Sequence, residues 1–186
     1  MKEQILLTSG EEKLVYISGF FEEDLLIQLR DLIEWKQNTI RVFGVDHPEP
    51  RLTAWFGKPY KYSNISWPEK DYLPILTQLQ TSLIAYTNFQ FNSVLANYYR
   101  SGQDSMGWHA DNEPEMDTTL IASASFGGSR VFKLRHRTTQ EKIDIELQNG
   151  SLLLMHNLQK NWQHSISKTK KIVEPRINLT FRRILG

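Results

Sequence analysis

The segment SMGWHADNEPE, residues 105–115, sets His109 and Asp111 two residues apart behind a glycine and a tryptophan. In an extended chain, residues i and i+2 point the same way. An imidazole and a carboxylate on one side of a strand suit a divalent metal, an acid–base pair or an ordinary polar loop. The spacing alone does not discriminate, because chance His-x-Asp pairs are common. A metal centre needs a third ligand, and the remaining histidines are His47, His136, His156 and His164. His164 opens the strand-like run HSIS and lies 12 residues before Arg176. His156, at the end of SLLLMH, competes with it. Two imidazoles and one carboxylate form the facial triad of non-haem Fe(II) oxygenases, which leaves three metal positions open. A structural or hydrolytic zinc site uses the same three residues.

The end of the chain supplies a second cluster. In RINLTFR, Ile177, Leu179 and Phe181 share one face of a strand, and Arg176, Asn178, Thr180 and Arg182 share the other. That polar face either meets solvent or looks into the mouth of a β-barrel. Inside a barrel, two arginines need anions. The planar guanidinium fork matches a carboxylate or a phosphate. An oxo-acid that chelates iron and carries a second, distal carboxylate would use one of them.

These residues need elements to position them. SGFFEEDLLIQLRDLIEW, residues 18–35, predicts a helix with Leu25, Leu26, Leu29, Leu32 and Ile33 on one face and acids in its first turn. DYLPILTQLQTSLIAYTNF, residues 71–89, predicts a second, with Leu76, Leu79 and Leu83 on one face and Pro74 early. From about Asn92 the period shortens. SVLANYY, TTLIASASF, RVFKLRH, IDIEL, SLLLM, HSIS and RINLTFRRI read as short strands, with TIRVFG and RLTAWFG as further strands upstream. Helices first and a β-rich body after suggest a sandwich, jelly roll or barrel with both helices on one sheet.

A chain of 186 residues suits one domain. It has no cysteine, so disulfides and thiolate metal sites are excluded and a reducing cytoplasmic or nuclear setting fits. No apolar run reaches the length of a membrane span, and the start is not apolar enough for a signal peptide. Charge is uneven. Residues 1–128 carry 10 basic and 17 acidic side chains, and residues 129–186 carry 12 basic and 4 acidic. A basic final third either faces a polyanion or simply solubilises the fold.

NYY, WHAD, SASFGGSRVFKLRH, GSLLLMHN, WQHSI and PRINLTFR, in that order, resemble the AlkB family over residues 40–185, nearest its eukaryotic DNA-repair members. That family comprises Fe(II)- and 2-oxoglutarate-dependent dioxygenases that demethylate nucleic-acid bases with O2. The resemblance implies an α+β, mainly β fold, a double-stranded β-helix (jelly roll) with two N-terminal helices on one sheet. It implies one dioxygenase domain over 1–186, with helices and a nucleotide-recognition region in 1–90 and the catalytic core in 91–186. Matched motif by motif, His109, Asp111 and His164 would bind iron. Asn97, Tyr99, Arg176, Asn178, Thr180 and Arg182 would hold 2-oxoglutarate.

The resemblance extends to substrate recognition. Phe43, in RVFGVDHPEPR, matches a wedge residue, and Tyr60 and Tyr62 match the segment that stacks on the target base. For each of these aromatics the competing role is a place in the core. Asn112 and Glu113 follow the His-x-Asp pair where the family places acids near the extruded base; Asn112 departs from the aspartate of the duplex-repair member. Arg130, Arg135, Arg137, Lys142 and the cluster 168–171 would touch phosphates. The expected partner is methylated DNA, with 1-methyladenine and 3-methylcytosine as lesions, acted on by a monomer with no membrane contact. The alternatives are the same chemistry on RNA or protein, or a non-catalytic nucleic-acid-binding homologue.

Overall fold

The computed structural model describes all residues except Phe43, Ser63, Asn64 and Gly186, and describes Val42, Lys61, Tyr62 and Ile65 by their backbone only. The expected wedge Phe43 and the side chain of Tyr62 therefore lie outside the described residues. The chain begins with the hairpin β1 (Lys2–Ser9) and β2 (Glu12–Ser18), followed by α1 (Leu26–Leu32). Two further hairpins flank a strand: β3 (Thr39–Val42) and β4 (Val45–Pro48), then β5 (Leu52–Gly57), then β6 (Tyr60–Tyr62) and β7 (Ile65–Trp67). After α2 (Pro74–Thr87) come β8 (Ser93–Tyr99), β9 (Met106–His109), β10 (Met116–Gly127) and β11 (Arg130–His136). The chain finishes with β12 (Lys142–Leu147), β13 (Ser151–His156), a 3-10 turn (Leu158–Lys160), β14 (Trp162–Ile166) and β15 (Arg176–Ile184).

Two sheets face each other as in a jelly roll. The larger runs β1-β2-β13-β10-β15-β8-β5 and the smaller β12-β11-β14-β9. The middle of the larger sheet is covered on both faces, so β8, β10 and β13 are buried along most of their length. Its outer face, with Ile177, Leu179 and Phe181, packs on Leu29, Ile33, Leu76, Leu79 and Leu83 of the helices. Its inner face meets Phe132, Leu134 and Ile145 of the smaller sheet through Leu95, Ile121 and Leu153. The polar face of β15 looks into this inner layer, and all four of its expected residues are buried.

The second helix forms as its sequence predicts. Pro74 supplies the fixed φ of a first turn, and Asn88 in the left-handed region (φ 54°) closes the last. The first is shorter than expected. Gly19 turns the chain at φ 61°, and the Phe21 N–H donates to the Gly150 carbonyl, so residues 19–25 dock on the sheet as a loop. The Asp24 carboxylate accepts the Leu26 N–H, and Glu22 and Glu23 lie before the first turn, not in it. Leu29 and Ile33 are buried as expected, whereas Leu32 is 53% exposed. The other correction is at the start, where β1 and β2 precede any helix. As an edge strand, β1 is exposed along most of its length, so it has no apolar alternation to read.

Candidate metal and co-substrate site

His109 closes β9 and is the cross-strand partner of His164 in β14, with ring centroids 4.1 Å apart. Asp111, two residues on, is 2% exposed. Its Oδ1 lies 3.7 Å from His109 Nε2, and its Oδ2 lies 4.0 Å from His164 Nε2. Candidate ligand atoms of the three residues all fall within 4.8 Å of one another, and no other such group occurs among the described residues. His156 ends β13 elsewhere, beside Leu120 and Lys13. The two imidazoles are held differently. His109 Nδ1 lies 2.9 Å from the Gly107 carbonyl, which can only accept, so that nitrogen carries the proton and leaves Nε2 free. His164 is held by rings: Phe132 stacks on it at 5.1 Å.

Electrostatics keep these groups in ligand form. Burial pushes the Asp111 carboxyl up, but Arg182 and both imidazoles outweigh it and hold it at about 2. Arg182 Nη2 pairs with Asp111 Oδ1 at 2.9 Å. Burial lowers His164 to about 3 and lowers His109 too. Both imidazoles are thus neutral at pH 7, with lone pairs for a metal. Buried polar atoms without partners are rare, yet Asp111 Oδ2, Ser165 Oγ, Arg176 Nε and Arg182 Nε all belong to residues lining this one cavity. Two neutral imidazoles and a carboxylate with a spare oxygen fit a ferrous ion.

Beside this group lies the inner face of β15. Arg176, 1% exposed, donates through Nη2 to Ser125 Oγ at 2.9 Å, and its guanidinium lies 5.4 Å from the Tyr99 ring. Burial lowers it to about 10. No carboxylate among the described residues comes within pairing distance of Arg176, whereas Arg182 has Asp111. The two arginines predicted to need anions therefore differ: Arg182 has its own, and Arg176 has none among the described residues. Asn178 Nδ2 donates to Ser123 Oγ at 2.8 Å and to the Ala124 carbonyl at 2.9 Å, and its Oδ1 accepts from Thr180 at 3.1 Å. Asn97 Oδ1 accepts from Arg51 Nε at 2.7 Å, which turns the amide nitrogen away from Arg51. Asn97 and Tyr99 line the same cavity as the metal group and Arg176.

The expected substrate residues are less uniform. Tyr60 is 4% exposed, and its ring stacks on Trp55 at 4.7 Å, so the core role weighed against base stacking describes its packing here. Burial raises its hydroxyl, which neighbours Arg182, Asp111 and Glu113. Burial also raises the half-buried Glu113 carboxyl. Asn112 is exposed. Arg130, expected to touch phosphates, is buried and donates instead to the Ser101, Asp104 and Ser167 carbonyls. Arg137, Lys142, Lys168, Lys170 and Lys171 are exposed. Sequence reasoning missed Arg51, Glu49 and Gln159. Arg51 Nη2 pairs with Glu49 at 2.6 Å in the interior. Gln159 Oε1 accepts the Asp111 N–H at 3.0 Å from 48 residues away. No local pattern announces the Gln159 contact, or that the Glu49–Arg51 pair lies in the interior.

A jelly roll with a largely buried His-x-Asp…His group and an arginine without a carboxylate partner defines a class, and comparison with known proteins gives the same one. The profile of the 2OG-Fe(II) oxygenase superfamily matches residues 14–182, and the chain belongs to that superfamily. It is an oxygenase that uses Fe(II), 2-oxoglutarate and O2. Alpha-ketoglutarate-dependent dioxygenase alkB homolog 3 of Mus musculus is 37% identical over 196 residues, covering 96% of this chain and 68% of that protein. DNA oxidative demethylase ALKBH2 of Bos taurus is 38% identical over 159 residues, 78% of this chain and 57% of that one. The solved structure of OsALKBH1 shares the fold, with a TM-score of 0.67 at 14% identity, covering 97% of this chain and all of the other. Among the described residues no helix is long and apolar enough to cross a membrane.

Proposed function

We propose that this oxygenase is an oxidative demethylase of alkylated nucleic-acid bases, acting as a monomer on methylated DNA, with 1-methyladenine and 3-methylcytosine as substrates. The observation that carries the reading is a triad with buried Asp111 and His164 and a part-buried His109, beside an arginine with no anion of its own among the described residues, in a chain similar to two named demethylases. His109 Nε2, Asp111 and His164 would hold the iron. Arg176 would grip the distal carboxylate of 2-oxoglutarate, with Asn97, Tyr99, Asn178 and Thr180 around it and Arg182 steadying Asp111. On this reading the chain is a single dioxygenase domain, with residues 1–90 adding recognition and 91–186 the catalytic core.

When bound, the iron supplies activation of O2: one oxygen enters 2-oxoglutarate as it becomes succinate and CO2, the other enters a methyl C–H bond, and the hydroxymethyl group leaves as formaldehyde. The protein's own residues orient and exclude. Arg182 keeps Asp111 ionised. The Gly107 carbonyl fixes the tautomer of His109. Leu95, Phe132 and Met155 form the apolar part of the cavity wall. Glu113, beside Asp111, would favour a cationic methylated ring in its ionised form, which burial and Asp111 work against until such a cation arrives. Phe43 and Tyr62 remain the proposed wedge and stacking residues. Arg135, Arg137, Lys142 and the lysines of 168–171 offer cations to phosphates.

The test is protein supplied with Fe(II), ascorbate, 2-oxoglutarate and a 3-methylcytosine oligonucleotide, read by mass spectrometry. Loss of one methyl group is expected. An intact methyl group, with succinate formed equally without the oligonucleotide, would remove the reading. RNA and methylated peptide run in parallel separate the same chemistry on another polymer.

A further inference from the structure

His109 and His164 point inward from β9 and β14, so their sequence neighbours Trp108 and Gln163 fall on the outward face of the smaller sheet. Trp108 is 38% exposed, on the edge strand beside the metal group. Arg135, the cross-strand partner of Gln163, lies over the indole, its guanidinium carbon 4.3 Å from the ring centre. Its Nε and Nη2 donate to Gln163 Oε1 at 3.2 and 3.0 Å. No carboxylate among the described residues pairs with Arg135. Lys142 stands opposite it across the β11–β12 ladder, and Lys133 precedes it on the same outward face, opposite Asp144. The outcome is an indole held against a fixed cation, one residue from a metal-ligand candidate.

We propose that Trp108, backed by Arg135, is a stacking platform for a nucleobase that flanks the target base in single-stranded nucleic acid, with Arg135 and Lys142 meeting the adjoining phosphate. The proposal rests on the nucleic-acid reading above. An aromatic face is sequence-tolerant, since every base has a π-face. The guanidinium anchored by Gln163 is already ordered, so little side-chain entropy is lost when a base docks. A duplex keeps its bases stacked on one another, so the partner is a single strand.

The experiment measures fluorescence anisotropy of a labelled 12-mer single-stranded DNA with metal-free protein, and in parallel measures Mn(II) affinity. Trp108→Ala weakens oligonucleotide binding about tenfold, the loss of one base stack, with Mn(II) affinity held. Trp108→Phe keeps oligonucleotide affinity within about threefold, because the π-face remains. Wild-type affinity in Trp108→Ala overturns the platform. So does a parallel loss of Mn(II) affinity in Trp108→Ala, which would make the indole a brace for β9. Stronger binding of a labelled poly-glutamate peptide than of the 12-mer would assign the surface to acidic peptides and also overturn it. If the wild type binds no oligonucleotide, the nucleic-acid reading itself fails, a result distinct from those seen only in the variants.

Discussion

The pocket and its rim are built in opposite ways. On β15, Arg176, Asn178 and Thr180 are each locked into a ladder with β8 on one side and β10 on the other, Arg182 is held by β8, and side chains bond further within the pocket. The candidate recognition hairpins β3–β4 and β6–β7 each form a two-stranded sheet paired only with itself. All four residues of β4 are exposed. A two-stranded hairpin is marginal by itself in water. On the proposed function, the contrast teaches a division of labour: the part that would hold reacting groups in fixed geometry is over-determined, and the part that would meet a variable polymer is tied down by fewer strand pairings.

Substitutions can break that contrast or sharpen it. The largest effect belongs to His109→Ala, which removes a triad member; formaldehyde release falls below detection, and full activity would end the triad assignment. Arg176→Met comes next. Removing one partner of a buried charge pair costs several kcal/mol, so the half-saturating 2-oxoglutarate concentration rises on the order of a hundredfold. The ligand-free melting temperature holds or rises, because a buried cation without its own anion is replaced by an apolar chain of similar length. A lowered ligand-free melting temperature with an unchanged half-saturating 2-oxoglutarate concentration would make Arg176 a structural residue. Gln159→Met keeps volume and removes the acceptor for the Asp111 N–H. Metal affinity measured by titration calorimetry falls about tenfold, as for outer-shell partners generally, and hydrogen exchange at the Asp111 amide speeds up. The smallest effect is at the rim: Asn112→Asp changes stability little, and shifts the kcat/KM ratio of 3-methylcytosine over a neutral methylated base only a fewfold, through a partly screened charge.

Much of this was legible in the chain because strands write their burial in a period of two. The alternation of Arg176, Asn178, Thr180 and Arg182 put these residues on one face, and the folded protein buries that face inside the barrel. The runs at 93–99, 130–136 and 176–184 coincide with β8, β11 and β15. What stayed illegible lacked a period or a local partner. The first helix was overextended because the apolar residues of 20–25 pack as a loop anchored to Gly150, a contact invisible along the chain. Arg130 read as a surface cation, because nothing nearby in sequence shows the three carbonyls that surround it.

The sequence by itself determined which side chains share a face, since alternation is a property of the extended backbone alone. It also carried the ordered motifs by which the family is known. The motifs already favoured His164 over His156; only the tertiary structure decided that it stands opposite His109, that Arg182 has an anion while Arg176 lacks one, and that Gln159 reaches Asp111. Those are meetings between strands far apart along the chain, settled by how two sheets register against each other, and local sequence preference has no term for that distance.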